Sequence, residues 1–344
     1  MKISILIPCY NEESSIESCL NSCIDQTRKA DEIIVVDDSS TDNTPNILRA
    51  FNGRDNIKVV KTPYNTGNKS FAQEYGLQFI TGDFFIATDG DSLLDRNFVR
   101  EMEKYMYDES TTAISGYVKS IKYNWLTACR ALDYIIGQNI DKPAQSLLNY
   151  IYVIPGVAGA FRTDVFKKEI IFNHDTITED LDFTYRLHEL NYKILFNKNA
   201  ICYTQDPYNM HSYINQMRRW IGGGWQNLIK HLSLPQKPGM ALELSLIYVE
   251  GLIYSVLMFL IPLVNPYFTL ILFFIYFGII FSFGVYGAIK EKRPELLFAF
   301  PTYLFLKYVN AWIFIEQFFK EVVFRNKGLV WLKADRMQVP AKPE

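Results

Sequence analysis

Histidine is scarce, with 4 in 344 residues, and the 35 basic and 37 acidic side chains almost cancel. No excess of either sign points to a polyanion or an acidic partner, so no nucleic acid partner is expected. No Gly-x-Gly-x-x-Gly follows the first apolar run, which weighs against a dinucleotide site. Cysteine is limited to Cys9, Cys19, Cys23, Cys129 and Cys202. Cys19 and Cys23 are four apart on a helix-like stretch, but no further pair completes a zinc set, and free thiols in a reducing compartment are expected. There is no repeat and no low-complexity segment. Nor is a leader expected: residues 3–7 are already a strand-like run, with no basic region or cleavage site ahead of them. The first 238 residues are therefore expected to stay on the side where they are made.

Charge is also missing from one long stretch. Up to about Pro238 charged residues mix with short apolar runs, whereas from Met240 to Phe319 Leu, Ile, Phe, Val and Tyr dominate. Residues 267–289 hold no charge over 23 positions, about 34 Å as a helix and enough to cross a bilayer. Residues 244–264, interrupted by Glu250, form a second candidate span, and residues 295–319, carrying Pro301, Lys307 and Glu316, a weaker third. Arg218, Arg219, Lys230 and Lys237 precede the first span, and Lys290, Lys292 and Arg293 follow the second. That bias implies an integral protein of the cell membrane whose soluble part is cytoplasmic. Three full crossings would leave the basic tail outside, so residues 295–319 are expected to be interfacial, re-entrant or broken near Lys307. Ionisable residues inside spans are costly unless paired, and Glu250 and Lys307 are expected to face each other. The expected organisation is a cytoplasmic domain over 1–238, transmembrane or re-entrant helices over 239–320, and a cytoplasmic tail over 321–344.

The first 120 residues alternate strand signals (3–7, 33–36, 57–60, 84–88) with helical ones (13–26, 44–51, 70–80). Such alternation predicts an α/β fold with a parallel sheet covered on both faces, its ligands beyond the carboxyl ends of the strands. Polar clusters fall at those ends: Pro8-Cys9-Tyr10-Asn11-Glu12, Asp37-Asp38-Ser39-Ser40 and Asp89-Gly90-Asp91. Apolar residues recur at helical spacing over about 121–140 and 210–232, which predicts two amphipathic helices at the membrane interface.

Three motifs carry chemistry. Asp89 and Asp91, two residues apart at a strand end, suit one hard cation shared with phosphate oxygens, as Mg²⁺ is usually held. Thr178-Glu179-Asp180 opens a helical run, with Thr178 as N-cap and Asp180 in the first turn, where the helix dipole favours the ionised carboxylate that a general base requires. Gln216, Arg219 and Trp220 are three and four apart and share a helix face. Arginine pairs with pyrophosphate, and tryptophan offers a flat face to a sugar ring. Gly222, Gly223 and Gly224 run together inside that helix at about 1 kcal/mol each relative to alanine, which close packing against another segment would explain.

In this order, Asp38, Asp89-Gly90-Asp91, Thr178-Glu179-Asp180 and Gln216-Met217-Arg218-Arg219-Trp220 resemble the processive family 2 glycosyltransferases: poly-N-acetylglucosamine, hyaluronan, chitin and cellulose synthases. The resemblance runs from Ile3 to about Arg336 and is greatest to the poly-N-acetylglucosamine synthases. It implies a GT-A, Rossmann-like nucleotide-sugar domain followed by interfacial and transmembrane helices. By resemblance Pro8, Tyr10, Glu12, Asp38, Lys69 and Asp89 hold the nucleotide of a UDP-sugar. Asp89 and Asp91 hold Mg²⁺ or Mn²⁺, and Asp180 is the catalytic base. Gly159 and Ala160, in the segment from Gly156 to Arg162, form the acceptor floor. Glu179, Gln216, Arg219 and Trp220 line the acceptor and leaving-group site, and Trp331, Lys333 and Arg336 match a gating segment.

Two departures stand out. Asn65-Thr66-Gly67-Asn68-Lys69 is one residue longer than the usual Asn-x-Gly-Lys, which puts Lys69 in question as a donor ligand. Two or three helices make a poor polymer channel, so either copies of the chain combine as a homo-oligomer or the product is not a secreted polymer. The leading expectation is an inverting enzyme that extends a β-linked polysaccharide in the bilayer. The alternative adds one or a few sugars to a lipid acceptor such as diacylglycerol, a ceramide or a polyprenyl phosphate. A scaffold that keeps the fold without catalysis is disfavoured, because every expected acid is present.

Overall fold

The computed structural model describes residues 1–170, 172–232 and 238–326. Strands β1 (Ile3–Cys9), β2 (Glu32–Asp37), β3 (Ile57–Lys61) and β4 (Phe84–Ala87) alternate with helices α1 (Ile16–Ile24), α2 (Thr44–Phe51) and α3 (Lys69–Leu77). They pair in parallel, in the order β3-β2-β1-β4. Both faces of β1 and β2 are apolar, as strands covered on two sides require. Ile3, Ile5, Ile7, Ile33 and Val35 join one core with α1, α2 and α4 (Phe98–Met106); Leu6, Ile34 and Val36 join the other with α3.

Beyond β4 the sheet becomes mixed. After the short β5 (Leu93–Leu94), the strands are β6 (Thr111–Ser120), β7 (Gly159–Arg162) and β8 (Lys193–Thr204), and the full order is β3-β2-β1-β4-β7-β6-β8-β5. β7 runs antiparallel to both β4 and β6. A long excursion between β6 and β7 allows that reversal. It carries α5 (Trp125–Ile136), a π-helical turn (Gly137–Asp141) and α6 (Lys142–Leu147). The short α7 (Thr163–Val165) follows β7, α8 (Glu179–Glu189) precedes β8, and α9 (Met210–Leu232) leads toward the apolar helices.

Those are α10 (Pro238–Val264), α11 (Pro266–Lys290) and α12 (Leu296–Phe318), each long and apolar enough to cross a membrane. The two amphipathic helices are present, and their apolar faces pack on α12 and α11 rather than lying apart: Leu126, Cys129, Leu132, Tyr213 and Met217 share a core with Ile280, Tyr303 and Leu306.

α12 differs from the expectation in one respect. It is continuous through Pro301 and Lys307, with no break. The α/β domain is bonded to it along its length. Before its start, Arg293 Nη1 donates to the Ser120 carbonyl at 3.0 Å, and Glu291 takes Lys119. At its middle Lys307 meets Asp133 at 3.4 Å, and Tyr303 donates to the same carboxylate at 2.6 Å. At its end Glu316 meets Arg218 at 3.0 Å, and just beyond it Gln226 donates to Glu321 at 3.0 Å. Lys307 therefore does not face Glu250. A carboxylate of α5 satisfies it, and Glu250 lies exposed on α10.

Candidate active site

The carboxyl ends of β1, β2 and β4 and the start of α3 enclose a cavity of about 150 Å³. Pro8, Tyr10, Glu12, Asp38, Lys69, Asp89 and Asp91 all line it, so every residue expected to hold donor or metal meets at one place. A wider, shallow concavity around Arg28, Asp31, Asn56 and Glu103 lies by the amino ends of β2 and β3, where such sheets do not place ligands. Two non-glycine residues at the carboxyl edge have left-handed backbones, Asn11 and Ser39, each at φ +55°. Local hydrogen bonds hold both: Thr41 N–H donates to Asn11 Oδ1 at 2.7 Å, and Ser39 Oγ donates to the Thr62 carbonyl at 2.8 Å. Strain of this kind persists only where the surroundings fix it, and it gathers at functional edges.

Asp38 ties the second cluster to the loop before α3. It accepts from Thr62 Oγ1 (2.8 Å), Thr66 Oγ1 (2.8 Å) and Thr66 N–H (3.1 Å). The residue by which this loop exceeds the usual motif is absorbed there. Gly67 turns the chain at φ +72°, and Asn68 becomes the N-cap of α3, accepting from Ser70 N–H at 3.2 Å. Lys69 is thereby the first helical residue and still reaches the site.

Its position is central. Lys69 Nζ lies 2.5 Å from Asp89 Oδ1 and 3.7 Å from Glu179 Oε1, and donates to the Gly156 carbonyl at 3.3 Å. Burial works against this ammonium, but Asp89 and Glu179 outweigh it and hold its pKa well above the ordinary lysine value. Burial also pushes Asp89, Glu179 and Asp180 up from the usual carboxylate range, and Lys69 pulls each partly back. One cation thus serves three acids drawn from two different motifs.

The dipole argument for Asp180 needs correcting. Asp180 does lie in the first turn of α8 and accepts from Leu181 N–H at 2.9 Å, yet burial dominates and its pKa is raised. Thr178 is the N-cap residue, but its side chain makes no capping bond. Its Oγ1 accepts instead from Asn227 Nδ2 at 2.9 Å, while Ile177 N–H donates to Gln226 Oε1 at 3.1 Å. Helix α9 therefore grips the entry to α8.

The three glycines make this possible, each for a different neighbour. A Cβ at Gly222 would lie 2.8 Å from Gln317, at Gly223 2.4 Å from Thr178 Oγ1, and at Gly224 1.9 Å from the Tyr248 hydroxyl. Gly223→Ala is expected to cost about 1–3 kcal/mol by overpacking. Because the displacement falls at the start of α8, transfer is expected to drop about 10²-fold. Thermal unfolding and turnover of the variant, compared with Ile229→Ala on the exposed side of α9, check both.

Other expected residues are placed less simply. Gly159 and Ala160 are buried within β7. The residue of that segment that reaches the acids is Gly156, where a Cβ would lie 2.9 Å from Lys69 Nζ and 3.8 Å from Glu179 Oε1. Arg219 acts on Glu179 and Asp180, lowering the proton affinity of both. Gln216 is half-buried. Trp220, 37% exposed, has its ring 4.8 Å from the guanidinium carbon of Arg130, which is itself buried between Asp133 and Asp206. One face of the indole is thus engaged by a cation. Trp331, Lys333 and Arg336 lie outside the described residues.

The carboxylates Asp89 and Asp91 fit a divalent cation as a two-ligand set. Among the described residues no group of three or more His, Cys, Asp or Glu side chains converges to hold one alone. Donor phosphates would complete such a site.

The chain is similar to known proteins in sequence and in fold. Residues 4–169 match Glycosyl transferase family 2. Poly-β-1,6-N-acetyl-D-glucosamine synthase of Staphylococcus epidermidis is 28% identical over 230 residues, covering 66% of this chain and 56% of that protein. The Staphylococcus aureus synthase of the same name is 26% identical over the same length. The chain thus spans about half the length of the curated relatives it matches. Among solved structures, a mannosyltransferase of Pyrobaculum calidifontis in complex with GDP-Man and Mn²⁺ superposes with a TM-score of 0.65 at 18% identity, over 95% of this chain and 88% of that one. TarS of S. aureus in complex with UDP-GlcNAc gives 0.51 at 17% identity, over 93% and 92%. The chain matches Glycosyl transferase family 2 over residues 4–169 and has the GT-A fold, followed by three apolar helices that could span a membrane.

Proposed function

We propose that the protein is an inverting, divalent-metal-dependent glycosyltransferase that moves a sugar from a UDP-sugar to a hydroxyl of a growing β-linked polysaccharide. The observation that carries this reading is the Lys69 ammonium set between Asp89 and Glu179, which joins the donor cavity to the turn bearing Asp180. The names of the poly-N-acetylglucosamine synthases and the UDP-GlcNAc bound by TarS support the donor and product, and the Mn²⁺ of the mannosyltransferase supports the metal.

Pro8, Tyr10, Glu12 and Asp38 would bound the nucleotide, and Asp89 and Asp91 would hold Mg²⁺ or Mn²⁺. When bound, the metal supplies positive charge to the diphosphate. Lys69 would release part of its hold on Asp89 to meet the same phosphates, and Arg219 would neutralise the leaving group. Asp180 takes the proton of the acceptor hydroxyl as its oxygen bonds to the anomeric carbon and the bond to the diphosphate breaks. One carboxylate base without a protein nucleophile gives a single displacement, hence inversion.

A second reading, with a lipid as acceptor, is favoured by the path of α12. Three apolar helices are few for a polymer channel: α10 and α11 form a hairpin, and α12, packed beside it, is tied to the α/β domain at both ends and at its middle. Labelled UDP-sugars given to the purified protein in vesicles with Mg²⁺ or Mn²⁺ separate the two. Label in long aqueous chains establishes the polymer, and label confined to the organic phase establishes the lipid.

The same path predicts topology, with the catalytic domain and the end of α12 on the cytoplasmic side. Basic residues collect at the domain side of the hairpin, at Arg218, Lys230, Lys290 and Arg293, and Asn265 alone stands at its turn. All five native cysteines are buried. A Leu263→Cys variant is expected to react with an impermeant maleimide from outside intact cells, and a Phe324→Cys variant only after lysis. External labelling of the latter contradicts the surface placement of α12.

A further inference from the structure

Lys142, the first residue of α6, is a cation that the chemistry above leaves unused. It is buried at 8% exposure. Its Nζ donates to Ser115 Oγ at 2.7 Å and lies 5.6 Å from the centre of the Phe196 ring. Among the described residues no carboxylate forms an ion pair with it. β6 brings Ser115 to it and β8 brings Phe196; from α8 Asp180 is the one charged group that acts on it, and the neighbouring Asp141 is exposed. Burial pushes the amine down to about 7, against the pull of Asp180.

The place matters as much as the burial. Ser115 pairs with Gly159 across β6 and β7, at the strand that opens from the Gly156 loop against Lys69 and Asp180. An ammonium taken from water without a counter-charge is costly, and methionine would fill the same volume at little penalty. An ammonium has three donors, and Ser115 uses one. A cation so placed is completed by a ligand that brings both charge and acceptors.

We propose that Lys142 is an acceptor-binding residue whose ammonium, with the Ser115 hydroxyl, receives an oxyanion that the acceptor carries beside the hydroxyl deprotonated by Asp180. The oxyanion is a phosphate or a carboxylate. This rests on the reading of Asp180 as the acceptor base. The charge-assisted contact would hold Lys142 protonated and select acceptors that bear such a group.

Trace acetylation of the full chain in lipid nanodiscs between pH 5 and pH 10, read lysine by lysine by mass spectrometry, tests this with inorganic phosphate and with acetate as probes. Lys142 is expected to titrate near neutrality, and an effective anion to slow its labelling about tenfold, equivalent to one unit of raised proton affinity. Protection by phosphate alone assigns a phosphoryl-bearing acceptor, and protection by acetate a carboxylate-bearing one. Failure of both anions, protection confined to Lys69, or no labelling of Lys142 at any pH overturns the proposal. The readout needs no transfer, so its failure is distinct from failure of the transferase reading. In transfer assays Lys142→Met is expected to raise the acceptor KM about tenfold, with Lys142→Arg recovering most of it.

Discussion

Asp180→Asn is expected to lower transfer by about 10²–10⁴-fold while leaving donor affinity within a factor of two or so of wild type. The substitution is nearly isosteric. Asparagine Oδ1 can still accept from Leu181 N–H, so the first turn of α8 keeps its local bond. What disappears is the ability to take a proton. The pH profile provides a second reading of the same group. Burial raises the pKa of Asp180, with Lys69 and Arg219 opposing it. The base is active only when ionised, so the rate falls as pH falls through this raised value, at a pH above the ordinary aspartate range near 3.9. The residual activity of Asp180→Asn is expected to lose that acid limb. Turnover across pH, with calorimetry of nucleotide binding as the control, checks both. A variant with wild-type turnover would remove Asp180 from the chemistry, and one that no longer binds donor would make its role structural.

The half of the site proposed to hold the donor was legible because its signals are local. Pro8-Cys9-Tyr10, Asp38 and Asp89-Gly90-Asp91 each follow a short apolar strand, and a parallel sheet brings the ends of neighbouring strands to one edge. The half proposed to hold the acceptor depends on contacts across long sequence separations. Nothing near residue 156 announces that Gly156 meets Lys69, and nothing near 142 announces Ser115. The glycines at 222 to 224 gave a signal without a partner: close packing was readable, but Thr178 and Tyr248 as the neighbours were not. For Asp180 the dipole was visible in the sequence and the burial was not, and burial decides the direction. Lys307 shows the same limit in the apolar region. Composition required a partner for it, and Glu250 of the first span was the acid expected to face it. The acid that satisfies it, Asp133, comes from a helix 174 residues away.

These long-range contacts also connect the membrane side to the chemistry. Glu321, beyond α12, accepts from Gln226 of α9, and Gln226 accepts from Ile177 at the entry to α8. Three residues thus link the end of an apolar helix to the turn that carries Glu179 and Asp180. Rigid support of this kind is what keeps a base within a fraction of an ångström of its working position.

Lys69→Met is expected to abolish measurable donor binding and to move the acid limb of any remaining activity to higher pH. Lys69 is the strongest influence opposing burial on Asp89, Glu179 and Asp180, in each case pulling down a pKa that burial has raised. Without it all three rise further, and a smaller share of Asp180 is ionised near neutrality. Removing one partner of a buried pair typically costs about 3–5 kcal/mol, because the charge left behind stays out of water. The sign of the pH dependence follows. A carboxyl whose folded pKa lies above its unfolded value keeps a proton that the unfolded chain gives up, so the variant is most stable at acid pH and loses stability as pH rises through the raised values. The wild type, with the ammonium in place, is expected to show a shallower loss over the same window. Lys69→Arg keeps the charge but exchanges a point cation for a planar fork, so it should recover stability more fully than donor binding. Denaturant unfolding of the three proteins between pH 5 and pH 8, paired with nucleotide calorimetry, measures this. Equal stability of wild type and Lys69→Met across that range would mean that Lys69 does not hold the acid cluster together, and undiminished donor affinity would mean that the cavity binds its nucleotide without it.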